Sequence, residues 1–150
     1  MVTHAGLEMK SGQQATWTFY YSNFGRSPAI ALLPRSQIVF GSDNFKKIRA
    51  NLFTNIHTAG KRGEGSIVPP GFNANFITAI STEALTDDDV RYISDNDAGL
   101  VMVAHFEYFD TSGNEYHTEI CWARLMTGAV SNCPIHNKLK EKQPRGPVTR

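Results

Sequence analysis

Aromatic and β-branched residues alternate with polar ones over much of the chain, the pattern of strands with one buried face. In "ATWTFYYSNFG", Trp17, Phe19 and Tyr21 fall on one face. Thr16, Thr18, Tyr20 and Ser22 fall on the other, before a turn at Asn23 and Gly25. "SPAIALLPRSQIVF" continues the pattern, and Pro34 inside it predicts an edge, a bulge or a break into two short strands. "NFITAIS" at 75–81 reads as a strand launched by the turn "PPG" at 69–71. The clearest pair is "LVMVAHFEYF" and "EYHTEICWARLM", joined by "DTSG", which suits a type I turn with Gly113 left-handed.

Helical signals are few. Thr86 with Asp89 three residues on forms a short-acid capping box, and Asp87, Asp88 and Asp89 lie where the helix dipole favours anions. Phe45, Ile48 and Leu52 have the spacing of a second short helix. "HTAGKRGEG" reads as a flexible loop. Short strands with turn chemistry between them, and no alternating βαβ rhythm, predict an all-β fold: an antiparallel β-sandwich with one or two short helices.

The hairpin register follows from its turn. Tyr108 faces Tyr116, Phe106 faces Thr118, Ala104 faces Ile120 and Met102 faces Trp122 on the apolar side. Packing of the Trp17, Phe19 and Tyr21 face, or of the alternate face of that strand, against Phe106, Tyr108 and Trp122 is the expected core. The other side carries Glu107 opposite His117, and His105 opposite Glu119. These four residues are a candidate metal set, because imidazole and carboxylate suit zinc and other divalent ions. The competing reading is cross-strand Glu–His pairing on a solvated sheet face, each pair contributing about 0.2–1 kcal/mol.

Composition narrows the function classes. The 150 residues suit a single domain able to bury a core. The net charge of +1 argues against nucleic acid as a partner. Lys46, Lys47 and Arg49 near Phe45 and Phe53 are the residues such a partner would use. The last thirteen residues, "KLKEKQPRGPVTR", carry five basic groups and one acid, a net +4 that leaves −3 on the rest. They read as a basic, flexible tail over 138–150, after a β-sandwich domain spanning 1–137. No apolar run is long enough to span a bilayer and no signal peptide is present, so direct membrane insertion by this chain is not expected. The opening "MVTHAGLEMKSG" reads as a start placed on an internal segment of a longer protein.

No GxSxG, HExxH, P-loop or GxGxxG occurs, so no catalytic residues and no cofactor are expected. "DNDAG" at 95–99 lacks the bidentate Glu of a calcium loop. Cys121 and Cys133 leave two readings open: a disulfide, or a reduced pair in which Cys133 and His136 form a C-x-x-H motif. The disulfide is favoured because no further ligands complete a structural zinc site. Lys46, Lys47, Arg49, Lys61 and Arg62 are candidate binding-loop contacts, set against the simpler reading of a solvated basic face.

Four short segments carry a resemblance: "SNFGRSPAIAL" at 22–32, "VPPG" at 68–71, "YFDTSGNEYHTEIC" at 108–121 and "CPIHN" at 133–137. In this order they resemble a group of uncharacterised proteobacterial proteins with N-terminal membrane helices and an extracytoplasmic immunoglobulin-like β-sandwich. The resemblance spans most of residues 12–137, and the Lys-rich segment 45–62 departs from the pattern. It implies an immunoglobulin-like fold at the periplasmic face of the inner membrane. The partner would then be another envelope protein or the protein's own membrane-anchored segments. It also strengthens the disulfide reading, since the periplasm is oxidising. It brings no established activity, so the expected function is a non-catalytic binding or structural module of a cell-envelope protein. The alternative is a metal-binding protein or metal-dependent enzyme using the His105, Glu107, His117 and Glu119 patch.

Overall fold

The computed structural model describes residues 2–44, 66–71, 75–133 and 138–141. Strands dominate: β1 (Val2–Glu8), β2 (Gln14–Tyr21), β3 (Ala29–Phe40), β4 (Ser66–Val68), β5 (Asn75–Ala84), β6 (Leu100–Phe109), β7 (Glu115–Arg124), β8 (Val130–Asn132) and β9 (Lys138–Glu141). Among the described residues one helix, α1 (Asp87–Asp95), separates β5 from β6. The all-β expectation holds. The second helix expected near Phe45, and the "HTAGKRGEG" loop, lie outside the described residues.

The strands follow the order β1-β2-β5-β3-β6-β7-β8, with β4 on β3 and β9 on β7. Among the described residues all pairings are antiparallel except one: Ile38 of β3 meets Ser81 of β5 in parallel. This corrects the purely antiparallel expectation, and the cause is topological. The chain reverses from β3 into β4 and again into β5, so β5 returns in the direction of β3. The result is a mixed, curled sheet whose β2 and β6 faces meet.

Pro34 sits where a proline is tolerated. Against β6, β3 slips register between Ile30 and Leu33. On its other side it pairs with β4 at Ala29 and Leu32 and with β5 at Ile38, so Pro34 falls between these contacts. The missing N–H therefore breaks no described ladder on that side.

The main core is the expected aromatic one. Trp17 and Phe19 are fully buried. Phe19 meets Phe106 and Trp122 edge-on at 6.3 and 6.0 Å, Trp17 lies 6.4 Å from Trp122, and Tyr21 lies 5.4 Å from Phe106. Such ring pairs add to the free energy of burial itself. Ser81 is buried beside this layer, where β2 bulges. Its hydroxyl accepts from the Ala15 amide at 2.9 Å and donates to the Glu83 carbonyl at 2.7 Å, so the bulge leaves that amide satisfied.

α1 begins as expected. The Thr86 amide donates to Asp89 and the Asp89 amide to the Thr86 hydroxyl, a reciprocal capping box. Its last turn is tied down by Asn96, which donates to the Tyr92 carbonyl, and Arg124, which donates to the Ile93 carbonyl at 2.9 Å. Gly99 lets β6 begin directly under this helix: a Cβ there would lie 2.9 Å from the Ile93 Cα.

Two expectations are corrected. The odd-numbered face of the β6–β7 hairpin is not uniformly solvated. Val101, Val103, Cys121, Ala123 and Cys133 form a second buried cluster with Val39 and Ala98 packed on it. His105, assigned to the wet side, is 1% exposed. The face is covered because β3 lays Gln37 and Val39 beside Val103 and Val101, and the chain returns after β8 to bring Cys133 over Cys121. The sheet also runs past residue 137. Lys138–Glu141 pairs with Glu119–Tyr116 of β7, because "KLKE" alternates polar and apolar residues and β7 offers that length as an edge. The rest of the expected tail, 142–150, lies outside the described residues.

Candidate functional site

Among the described residues two places gather functional groups, one on each side of the β6–β7 hairpin. The observed register is the expected one at every position, including Glu107 opposite His117 and His105 opposite Glu119. Gly113 takes a φ of 83°, as the bulged turn requires.

The first place is a cavity of about 500 Å³ at the open end of the aromatic core. Its floor and wall are Tyr21, Phe106, Tyr108 and Tyr116, with the two hairpin tyrosines stacked at 5.3 Å. Its rim is the loop between β2 and β3, residues 22–28, which brings Asn23, Phe24 and Arg26 to the opening. Asn23 shapes that rim. Its side-chain oxygen accepts from the Gly25 amide at 2.8 Å, and its side-chain amide donates to the Ser27 carbonyl at 2.9 Å and the Val68 carbonyl at 3.1 Å. The Gly71 amide donates back to the Asn23 carbonyl at 3.0 Å. "SNFGRSPA" and "VPPG", distant in sequence, are thereby one structural unit.

Asp110 closes the hairpin side of the cavity. Its carboxylate accepts from the Ser112 and Asn114 amides, the Asn114 side chain and the Tyr116 hydroxyl. The Asn114 side-chain amide, foremost among these donors, holds the Asp110 carboxyl below its ordinary range, against an opposing effect of desolvation. Aromatic walls with a few fixed polar groups, at this volume, are the usual make-up of a small-molecule site.

The second place is the charged part of the odd-numbered face. Among the described residues, one group of three possible ligands converges: donor atoms of Glu107, Glu115 and His117 lie within 4.8 Å of one another. His117 Nε2 is 2.9 Å from Glu115 Oε1, and His117 Nδ1 is 3.3 Å from His105 Nε2. The two imidazoles lie 5.4 Å apart. Two of the four residues expected as ligands, Glu107 and His117, belong to the converging group. His105 stands behind His117 rather than beside the carboxylates, and Glu119 lies outside the group. Glu115 was missed, although its spacing of two from His117 puts it on the same face of the strand.

Cys121 and Cys133 form a disulfide, with Cα atoms 5.3 Å apart. The candidate binding-loop residues Lys46, Lys47, Arg49, Lys61 and Arg62, and His136, lie outside the described residues. "DNDAG" is the turn that feeds β6, with Ala98 at a φ of 56° and its amide donating to the Arg124 carbonyl. No helix among the described residues is long and apolar enough to cross a membrane. No family model, no curated protein and no solved structure matches this chain.

Proposed function

We propose that this chain is a non-catalytic binding module of a cell-envelope protein, built as an immunoglobulin-like sandwich and working through the cavity at the end of its aromatic core. The cavity is the observation that carries the reading. Three of the four segments that suggested an envelope module contribute to it: the 22–32 loop, Val68 of "VPPG", and the Tyr108–Thr118 hairpin.

The finer fold assignment has support in the strand order. β1-β2-β5 and β3-β6-β7 match the A-B-E and C-F-G groupings of immunoglobulin domains. A short helix between β5 and β6 occupies the E–F connection. The disulfide favours an oxidising compartment, in keeping with a periplasmic location. The partner in this reading is another envelope protein or the membrane-anchored segments of the same one, presenting an apolar or aromatic group to the tyrosines and an anionic group to Arg26.

A small probe with both features tests it: 8-anilinonaphthalene-1-sulfonate, whose rings suit Tyr108 and Tyr116 and whose sulfonate suits Arg26. Titration should give single-site binding, with backbone amide shifts confined to Asn23–Arg26, Asp110 and Thr118 in two-dimensional NMR. Phe24→Ser and Arg26→Glu, both at exposed positions, should each weaken it at least fivefold. Binding that leaves those amides unshifted, or no binding at millimolar probe, would remove the cavity from consideration.

A further inference from the structure

The geometry points to a divalent transition-metal site on the face of the hairpin opposite the cavity, with Glu107, Glu115 and His117 Nε2 as ligands and His105 as the residue that positions His117. This differs from the set suggested by sequence in both membership and roles. It stands independently of the cavity.

The ligand set follows from strand geometry. Glu115 and His117 are two apart on β7 and share a face, and Glu107 lies directly opposite His117 on β6. All three are partly shielded, with His117 and Glu115 side chains 16% and 18% exposed. Two carboxylates held this close in reduced solvent repel each other, and a dication removes that repulsion. Metal bonds to oxygen and nitrogen of about 2.0–2.2 Å need donor atoms nearer than the 4.8 Å outer limit, so binding requires the carboxylates to rotate toward His117 Nε2. Two oxygens and one imidazole nitrogen suit zinc or manganese, and the partial exposure leaves room for water to complete the coordination.

His105 gives the arrangement its direction. A neutral imidazole carries one proton on one of its two nitrogens. In the metal-free protein the 2.9 Å contact between His117 Nε2 and Glu115 is bridged by a proton. On metal binding the cation takes that position and both rings change tautomer: the His117 proton moves from Nε2 to Nδ1 and the His105 proton from Nε2 to Nδ1, so that the 3.3 Å contact reverses and His117 Nδ1–H donates to His105 Nε2. His105 is 1% exposed and so cannot swing away. Ligating histidines are typically fixed in this way, by an acceptor on the far ring nitrogen, and losing that acceptor lowers metal affinity about 10- to 100-fold.

The test uses the full chain, stripped with EDTA and dialysed, titrated calorimetrically with zinc chloride and separately with manganese chloride at neutral pH. One equivalent should bind, zinc more tightly than manganese. His117→Ala and Glu115→Gln should each weaken zinc binding at least tenfold, and Glu107→Gln likewise. His105→Asn should weaken it about tenfold. Because a substitution at buried His105 can disturb folding, the decisive readout is on the unaltered chain: long-range ¹H–¹⁵N spectra of the His117 ring should show Nε2 becoming the metal-bound nitrogen and Nδ1 the protonated one. Absence of binding overturns the proposal. So does zinc binding that survives both His117→Ala and Glu115→Gln, or that leaves the His117 ring nitrogens unshifted, since the ion would then sit elsewhere.

Discussion

The side-chain amide of Asn23 donates to the backbone carbonyl of Val68, 45 residues further along the chain, at 3.1 Å. The same amide donates to Ser27 at 2.9 Å, so one side chain sets the shape of its own loop and clamps that loop to the end of β4. Asn23→Asp keeps an acceptor for the Gly25 amide but turns a donor into an anion facing two carbonyls. It should destabilise the fold by about 1–3 kcal/mol, the usual penalty for polar groups left unpaired in a partly buried place. Equilibrium urea unfolding measures this. The same variant should lose the sulfonate probe, because the clamp forms the rim of the cavity. An unchanged midpoint would mean that the clamp contributes nothing.

Phe19 and Phe76 test the assignment of faces. Phe19 is fully buried and edge-on to two other rings, whereas Phe76 on the neighbouring strand is 69% exposed. Phe19→Ala should cost about 3–5 kcal/mol, from lost burial and the cavity left behind. Phe76→Ala should stay within about 0.5 kcal/mol. Both substitutions remove the same atoms, so the difference in urea midpoints reads the packing alone. Equal losses would contradict the curled arrangement of β2 against β6.

The Cys121–Cys133 bridge closes a loop of separation 12, worth about 3 kcal/mol in the chain-entropy picture. Both cysteines are buried, Cys121 completely. Denatured, unreduced protein should therefore show no thiol with a colorimetric reagent. Native protein should resist dithiothreitol far longer than protein in urea. Once reduced, its melting temperature should fall by roughly 6–12 °C. Two thiols in the denatured, unreduced sample would refute the bridge.

What was legible in the sequence was whatever depends on near neighbours. The hairpin register followed from Gly113 and a period of two, and the helix start from Thr86 and Asp89, since each is a local hydrogen-bonding problem with one good solution. For the aromatic core, the alternation of Trp17, Phe19 and Tyr21 with Thr16, Thr18 and Tyr20 made the two faces legible, and the fold decides between them by burying Trp17 and Phe19. The burial of His105 was not legible, because it depends on tertiary packing, with Arg35 of β3 as its register partner from 70 positions away. β9 was hidden by its lysines, which read as a solvated tail although their alternation with Leu139 also fits an edge strand. The cavity was hidden for the same reason of distance: the Asn23 clamp reaches Val68 across a segment whose own pattern says nothing about it.

Asp110 gives the turn a pH dependence of known sign. Its folded-state pKa lies below the ordinary value, chiefly through the Asn114 side-chain amide, with the Asn114 and Ser112 backbone amides and the Tyr116 hydroxyl assisting. A lowered folded value means that the ionised form is bound more tightly by the native turn than by the unfolded chain. The stabilisation is therefore complete above the unfolded value of about 3.9 and disappears as pH falls through the lowered value. Asp110→Asn has no such titration. The difference in unfolding free energy between the unaltered chain and this variant should be constant from pH 7 to about pH 5, then shrink steadily on acidification. Urea midpoints at half-unit pH steps down to pH 2.5 measure it. A difference that stays flat across that range, or grows on acidification, would mean that the four donors do not hold the carboxylate in solution, and the hairpin wall of the cavity would then lack its anchor.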